Sequence, residues 1–207
     1  MLPWWEGTYS SEAGRAHRFP AQWRDTSDLL RVLYFHLAMR ELGPVHSFSL
    51  NLRPDIEARA RLQDSPVSWI QKRVVRHLEA ALGRPVAVYV VLEEDRQRLH
   101  VHGEIQIGAD EAAPARKALR KAGGEWKEVR QHQAHTDADP DQGWPSYIGK
   151  EFYKYRPWAR RFYEKARGAS RVTLRGNLFA STKGLGEAAR SLYEKHRLMV
   201  VRHRHYS

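Results

Sequence analysis

The sequence predicts an α+β fold, a central antiparallel β-sheet with flanking helices gathered on one face. Three observations predict it. Segments 45–52, 85–93 and 98–107 alternate apolar with polar residues or run through β-branched ones, as strands do. The stretches between them carry helix start and stop residues. The resulting order, strand–helix–strand–strand–helix–strand–helix, suits an antiparallel sheet.

Residues 1–24 are rich in aromatic, Gly and Pro residues without a period and read as an irregular arm. A helix is expected from about Asp25 to Leu42, capped by Asp25 or Thr26 and stopped at Gly43-Pro44. Val45-His-Ser-Phe-Ser-Leu-Asn-Leu52 alternates at period two and forms the first predicted strand. Ser65-Pro66 opens a helix that runs to Leu82 and ends at Gly83. Pro85 to Glu93 reads as a buried strand, Glu94 to Gln97 as a polar turn, and the following strand as its hairpin partner. A helix from about Glu111 to Ala122 precedes Gly123-Gly124, and Glu125 to Gln133 is expected as a fourth strand. A polar loop, Thr136 to Gly143, leads to Pro145 and a short helix carrying Tyr147 and Lys150. Beyond Pro157 the chain reads as helical pieces, with a helix at Glu187–His196 and a basic tail. The division is therefore 1–24 arm, 25–156 principal domain and 157–207 helical basic C-terminal extension.

The 207 residues suffice for a core without covalent staples, and the absence of cysteine excludes disulfides, thiolate metal sites and cysteine nucleophiles. No apolar run reaches membrane-spanning length and the N-terminus lacks signal-peptide character, so a soluble, cytoplasmic protein without a membrane partner is expected. A formal net charge of +11 favours polyanionic partners. Cations interleave with aromatics, as in Arg156-Pro-Trp-Ala-Arg-Arg-Phe-Tyr163, a composition suited to single-stranded nucleic acid.

The sharpest local signal is His100-Val101-His102. On a strand, residues two apart share a face, so both imidazoles project side by side and suit one metal ion. Paired histidines on a strand's wet face are also common, so the triplet gains weight only from its surroundings. Phe48-Ser-Leu-Asn-Leu52 is an apolar strand, Glu93 lies seven residues before His100 across the predicted hairpin, and Tyr147-Ile-Gly-Lys150 follows about 45 residues after the histidines. In this order the three motifs resemble those of the HUH endonuclease superfamily, in particular its single-tyrosine rolling-circle replication initiators. The match covers roughly residues 45–155.

The resemblance implies a ferredoxin/RRM-like HUH fold that nicks and joins single-stranded or hairpin DNA through a 5′-phosphotyrosine. It implies Tyr147 as nucleophile, Lys150 as its electrostatic assistant, and His100, His102 and Glu93 as ligands of a divalent metal, Mn²⁺ or Mg²⁺. A hard ion suits phosphate, although zinc would tolerate the same donors. Glu94 and Glu104 compete with Glu93 for the third ligand position. Tyr153, Tyr155 and Tyr163 compete with Tyr147, which the following lysine singles out. Position 151 is Glu and 150 is Lys, so a second tyrosine one turn away is missing and one tyrosine per subunit is expected. Phe48, Leu50 and Asn51 are expected to be structural. Arg116 and Arg120 share a helix face that is solvated by default, with DNA contact as the alternative. His132, His135, His203 and His205 show no ligand spacing.

Other readings stand beside this one. A single-tyrosine transposase uses the same chemistry but often follows its histidines with apolar residues, where this chain has Gly103-Glu104. A non-catalytic basic binding module needs no metal and forms no adduct. Hydrolysis by metal-activated water survives loss of every tyrosine. No Gly-x-x-x-x-Gly-Lys-Ser/Thr loop is present, so an initiator of this kind would borrow a host helicase or act where none is needed. The sequence leaves the oligomeric state open.

Overall fold

The computed structural model describes residues 20–95, 98–150, 152, 174 and 176–205. In chain order these form α1 (Asp28–Leu42), β1 (Val45–Asn51), α2 (Pro54–Arg61), α3 (Pro66–Leu82), β2 (Val88–Asp95), β3 (Arg98–Gln106), α4 (Ala112–Gly123), α5 (Arg130–Gln133), β4 (Ala134–Ala138), α6 (Gly143–Ile148), β5 (Phe179–Ser181) and α7 (Lys183–His205). The five strands make one sheet in the order β4-β1-β3-β2-β5, antiparallel at every pairing, so the fold is α+β as expected. No described helix is long and apolar enough to cross a membrane.

Alternation along the strands divides the sheet into two unlike faces. Phe48, Leu50, Val88, Val90, Leu92, Val101 and Ile105 form a continuous apolar face. Helices α3 and α4 cover it; α3 contributes Val67, Ile70, Val74 and Leu78, spaced for one buried stripe. Helix α1 lies on the other face, where Phe35 meets the Tyr89 ring at 5.7 Å. Helices thus occupy both faces, not one. Burial of Val32, Leu33, Tyr34, Phe35, Ala38 and Met39 all round α1 follows from its position between the sheet and α7.

The sequence-based boundaries need several corrections. Ser27, not Asp25 or Thr26, caps α1, its hydroxyl accepting from Leu30 N at 3.3 Å. Thr26 instead donates to Gln22 O at 2.9 Å and closes a 3₁₀ turn over Trp23–Asp25. Residues 125–133 are no strand: a 3₁₀ turn at Lys127–Val129 leads into α5. Buried Gln133 holds that segment compact, accepting from Trp126 N at 2.8 Å. The fourth strand comes later, running into the start of the segment expected as a polar loop, and is polar because it is an edge with exposed His135 and Asp137. Helix α2 was not expected, although Pro54 is a start signal. Nor was β5, which adds three residues to the β2 edge. Thus the segment set apart as an extension supplies both the edge strand and α7, which packs along α1 through Tyr193 and Tyr34 with centroids 5.0 Å apart.

Gly103 is fixed by close packing at the middle of β3. A Cβ there would overlap the Tyr89 carbonyl oxygen and lie 2.8 Å from Phe48 Cε1. The Phe48 ring fills the space above this glycine, opposite which it stands in register. Gly103→Ala is expected to cost about 1–3 kcal/mol through forced displacement of packed backbone. Denaturant unfolding would show it as a lower midpoint, and an unchanged midpoint would mean that β3 shifts freely.

Candidate functional site

Strand β3 carries Arg98, His100, His102 and Glu104 on the face opposite Val101 and Gly103. Its antiparallel register with β1 and β2 aligns them in rows. Asn51, His100 and Glu93 form one row, Ser49, His102 and Val91 the next, and Ser47, Glu104 and Tyr89 the third. Directly opposite residues stand about 5 Å apart at Cβ, which brings polar ends into hydrogen-bond range.

Asn51 sets the chemistry of His100. Its Nδ2 donates to the His132 carbonyl at 2.8 Å, which turns Oδ1 toward His100 Nδ1 at 2.9 Å. A carbonyl oxygen only accepts, so Nδ1 bears the proton of this hydrogen bond. His102 is held similarly, with Nδ1 3.0 Å from Ser49 Oγ and Nε2 3.2 Å from Glu93 Oε2. The second oxygen of Glu93 accepts from Lys150 Nζ at 3.2 Å. Glu93 is only 8% exposed. Its carboxyl is lowered from 4.5 to about 2 by the His102 hydrogen bond and by Lys150, against the opposing effect of burial.

Helix α6 delivers the remaining groups. Pro145 and Ile148 are buried and anchor it. A Cβ on Gly149 would lie 2.7 Å from Leu29 Cδ1, so the helix end presses against α1. Tyr147 points outward, 52% exposed, and stacks on Trp144 at 5.6 Å and 26°. Both rings stand edge-on to His102, at 6.2 Å and 6.1 Å. Lys150 follows the helix, and its Nζ lies 4.2 Å from the Tyr147 ring centroid. One ammonium group therefore touches both the tyrosine and the buried carboxylate.

The competing carboxylates lie elsewhere. Glu94 faces the other way and accepts from Arg61 Nη1 at 2.7 Å. Glu104 is fully buried beneath α1, where His36 Nδ1 donates to it at 2.7 Å. Burial and the Glu104 charge together push the Tyr89 phenol well above its ordinary value. Tyr153, Tyr155 and Tyr163 lie outside the described residues, as do the side chains of His203 and His205. His135 pairs with exposed Asp137, and His132 serves the site through its carbonyl.

Three site residues escaped the sequence reading. Asn51, expected to be structural, and Ser49 face the histidines, and the period-two alternation of β1 places both opposite Phe48 and Leu50. Trp144 stands three residues before Tyr147, a helical spacing that puts both rings on one side.

Two imidazoles and a carboxylate, with both Nδ1 atoms held by other groups, have the donor chemistry of a divalent-cation site. Among the described residues no group of three or more His, Asp or Glu side chains stands arranged to hold an ion. Comparison with family models, curated proteins and solved structures finds no significant match.

The folded-state value of Glu93 lies below its ordinary one, so its contacts stabilise the protein fully above pH 4.5 and fade as pH falls toward 2. In Lys150→Met the carboxyl is expected to titrate closer to 4.5 and the acid limb of stability to flatten. Carboxyl ¹³C NMR titration of both proteins checks this; an unmoved Glu93 would mean that His102 alone holds it ionised.

Proposed function

We propose that the chain nicks and rejoins single-stranded DNA at a hairpin-flanked site, as a single-tyrosine HUH endonuclease of the rolling-circle initiator type. The observation that carries this reading is the continuous contact chain Tyr147–Lys150–Glu93–His102 beside His100. An exposed nucleophile and an exposed cation meet metal-type donors there, in a strongly basic protein.

Tyr147 Oη attacks the scissile phosphorus. The bond to the 3′-oxygen breaks, leaving a 5′-phosphotyrosine and a free 3′-hydroxyl. The phenol loses its proton and the departing oxygen gains one, so protons balance, and the ester preserves the energy for rejoining without ATP. Lys150 favours the phenolate, whose ordinary pKa is about 10, and faces the charge gathering at phosphorus. Its second contact, with Glu93, fixes the ammonium in place. His100, His102 and Glu93 would hold a divalent ion, Mn²⁺ or Mg²⁺, whose chemistry there would be polarisation of the phosphate. Asn51 and Ser49 keep the two rings oriented through Nδ1, and His102 and Glu93 already stand in contact through Nε2 and Oε2. The exposed Trp144–Tyr147 pair offers a surface on which a base stacks. The activity belongs in the cytoplasm, with a host helicase opening the duplex.

Incubation with a randomised pool of single-stranded hairpin DNA, in Mn²⁺ or in EDTA, tests the reading on a denaturing protein gel. A metal-dependent upshifted band is expected, absent in Tyr147→Phe, which retains binding. Cleavage without adduct would replace the tyrosine with activated water, and binding without cleavage would leave a binding module. His102→Ala is expected to lose metal-dependent cleavage by at least about 100-fold while keeping its melting transition. Unchanged cleavage in that variant would remove His102 from the site.

A further inference from the structure

The sheet's second helical layer carries a charge pattern that the candidate site does not use. Arg84, Arg53, Arg61 and Arg98 are each paired with a carboxylate. On the outer surface of α3 and α4 the pattern reverses. Lys72 and Arg76 stand one turn apart on α3, Lys117 and Lys121 one turn apart on α4, and all four are exposed. None forms an ion pair with another described residue. Arg73 lies between the helices and donates to the α4 C-terminal carbonyls of Ala122 and Lys121, at 2.6 and 3.3 Å, rather than to a carboxylate. His77 sits one turn further along α3, with Nε2 buried and without a partner.

These cations feel one another. Burial and then Arg76 and Arg59 push the Arg73 guanidinium below its ordinary range. Burial, Arg73, Arg76 and Lys121 likewise push the His77 imidazole down. Asp55 and Glu125 oppose these effects only in part. A fold that leaves such repulsion uncompensated gains when a polyanion covers it.

We propose that the α3–α4 surface, centred on Lys72, Arg76, Lys117 and Lys121, docks the phosphate backbone of duplex nucleic acid. Its chemistry favours a duplex over a single strand. Helix α4 has no aromatic residue, and the one aromatic of α3, Trp69, is partly buried with the Arg73 guanidinium 5.8 Å from its ring. Unstacked bases therefore find no platform, whereas a rigid row of phosphates finds cations at helical intervals. The surface backs the apolar face of the sheet, on the side opposite His100 and His102. It is thus a contact separate from the candidate site, and it does not rest on Tyr147 being a nucleophile.

Fluorescence anisotropy with a labelled duplex of about 20 base pairs, and with one of its strands alone, tests this at several salt concentrations. The Lys72→Gln/Arg76→Gln/Lys117→Gln/Lys121→Gln protein is expected to bind duplex roughly 10- to 100-fold more weakly, with a salt slope smaller by about 3. Its single-strand affinity is expected to change less than about 3-fold, because stacking at the other face is untouched. Lys117→Gln/Lys121→Gln, confined to α4, is expected to lose about half of the slope change and guards against a misfolded quadruple variant. Unaltered duplex affinity and slope overturn the proposal, as does equal loss for both probes or failure of the unmodified protein to bind duplex. Vesicles containing phosphatidylserine serve as a third probe; a loss confined to them reassigns the surface to membrane and overturns it too.

Discussion

The register of β3 between β1 and β2 is the constraint on which the rest of the molecule depends. Pairing His100 with Asn51 on one side and Glu93 on the other decides which atoms meet. A slip of one residue would carry both histidines into the apolar layer and expose Val101 and Leu99. The glycine between Phe48 and the Tyr89 carbonyl makes such a slip costly, since no other position on β3 could accept that ring so closely. Apolar packing on one face thereby positions polar chemistry on the other.

The polar face itself is divided by cover. Where α1 lies over the sheet, Glu104 and His36 are sealed together and Tyr89 stays un-ionised. Beyond α1, His102 and Glu93 meet the short α6 and the lysine that follows it, and the Tyr147 ring remains open to solvent. The same strand thus holds a carboxylate that serves structure and, two rows away, faces one that holds a lysine. Their difference comes from the helix above and not from the residue type.

Local patterns were legible in the sequence, and non-local ones were not. Alternation announced β1 and β3, and Pro66 with Gly83 bracketed α3 correctly. The hairpin spacing put Glu93 opposite His100, because two residues separate the ends of β2 and β3 in sequence and the register follows from that length. The roles of Asn51 and Ser49 depend on the β1–β3 pairing, which spans about fifty residues and leaves no local mark. Strand β4 escaped because an edge with three exposed positions in five lacks an apolar rhythm, and three-residue β5 is too short to show one. Helix α1 was expected for its caps, yet only the packing of α7 explains why so many of its sides are apolar.

The sheet's borders bear on how copies of the chain treat one another. Its rims are β4, five residues long, and β5, only three. A rim that brief offers a neighbouring backbone few unpaired amides to zip onto, and the exposed His135 and Asp137 make the β4 rim wetter still. Each copy also carries the same strong positive charge, which holds like molecules apart in solution. The longest strand, β3, is the one most able to template aggregation, and it is hidden at the centre.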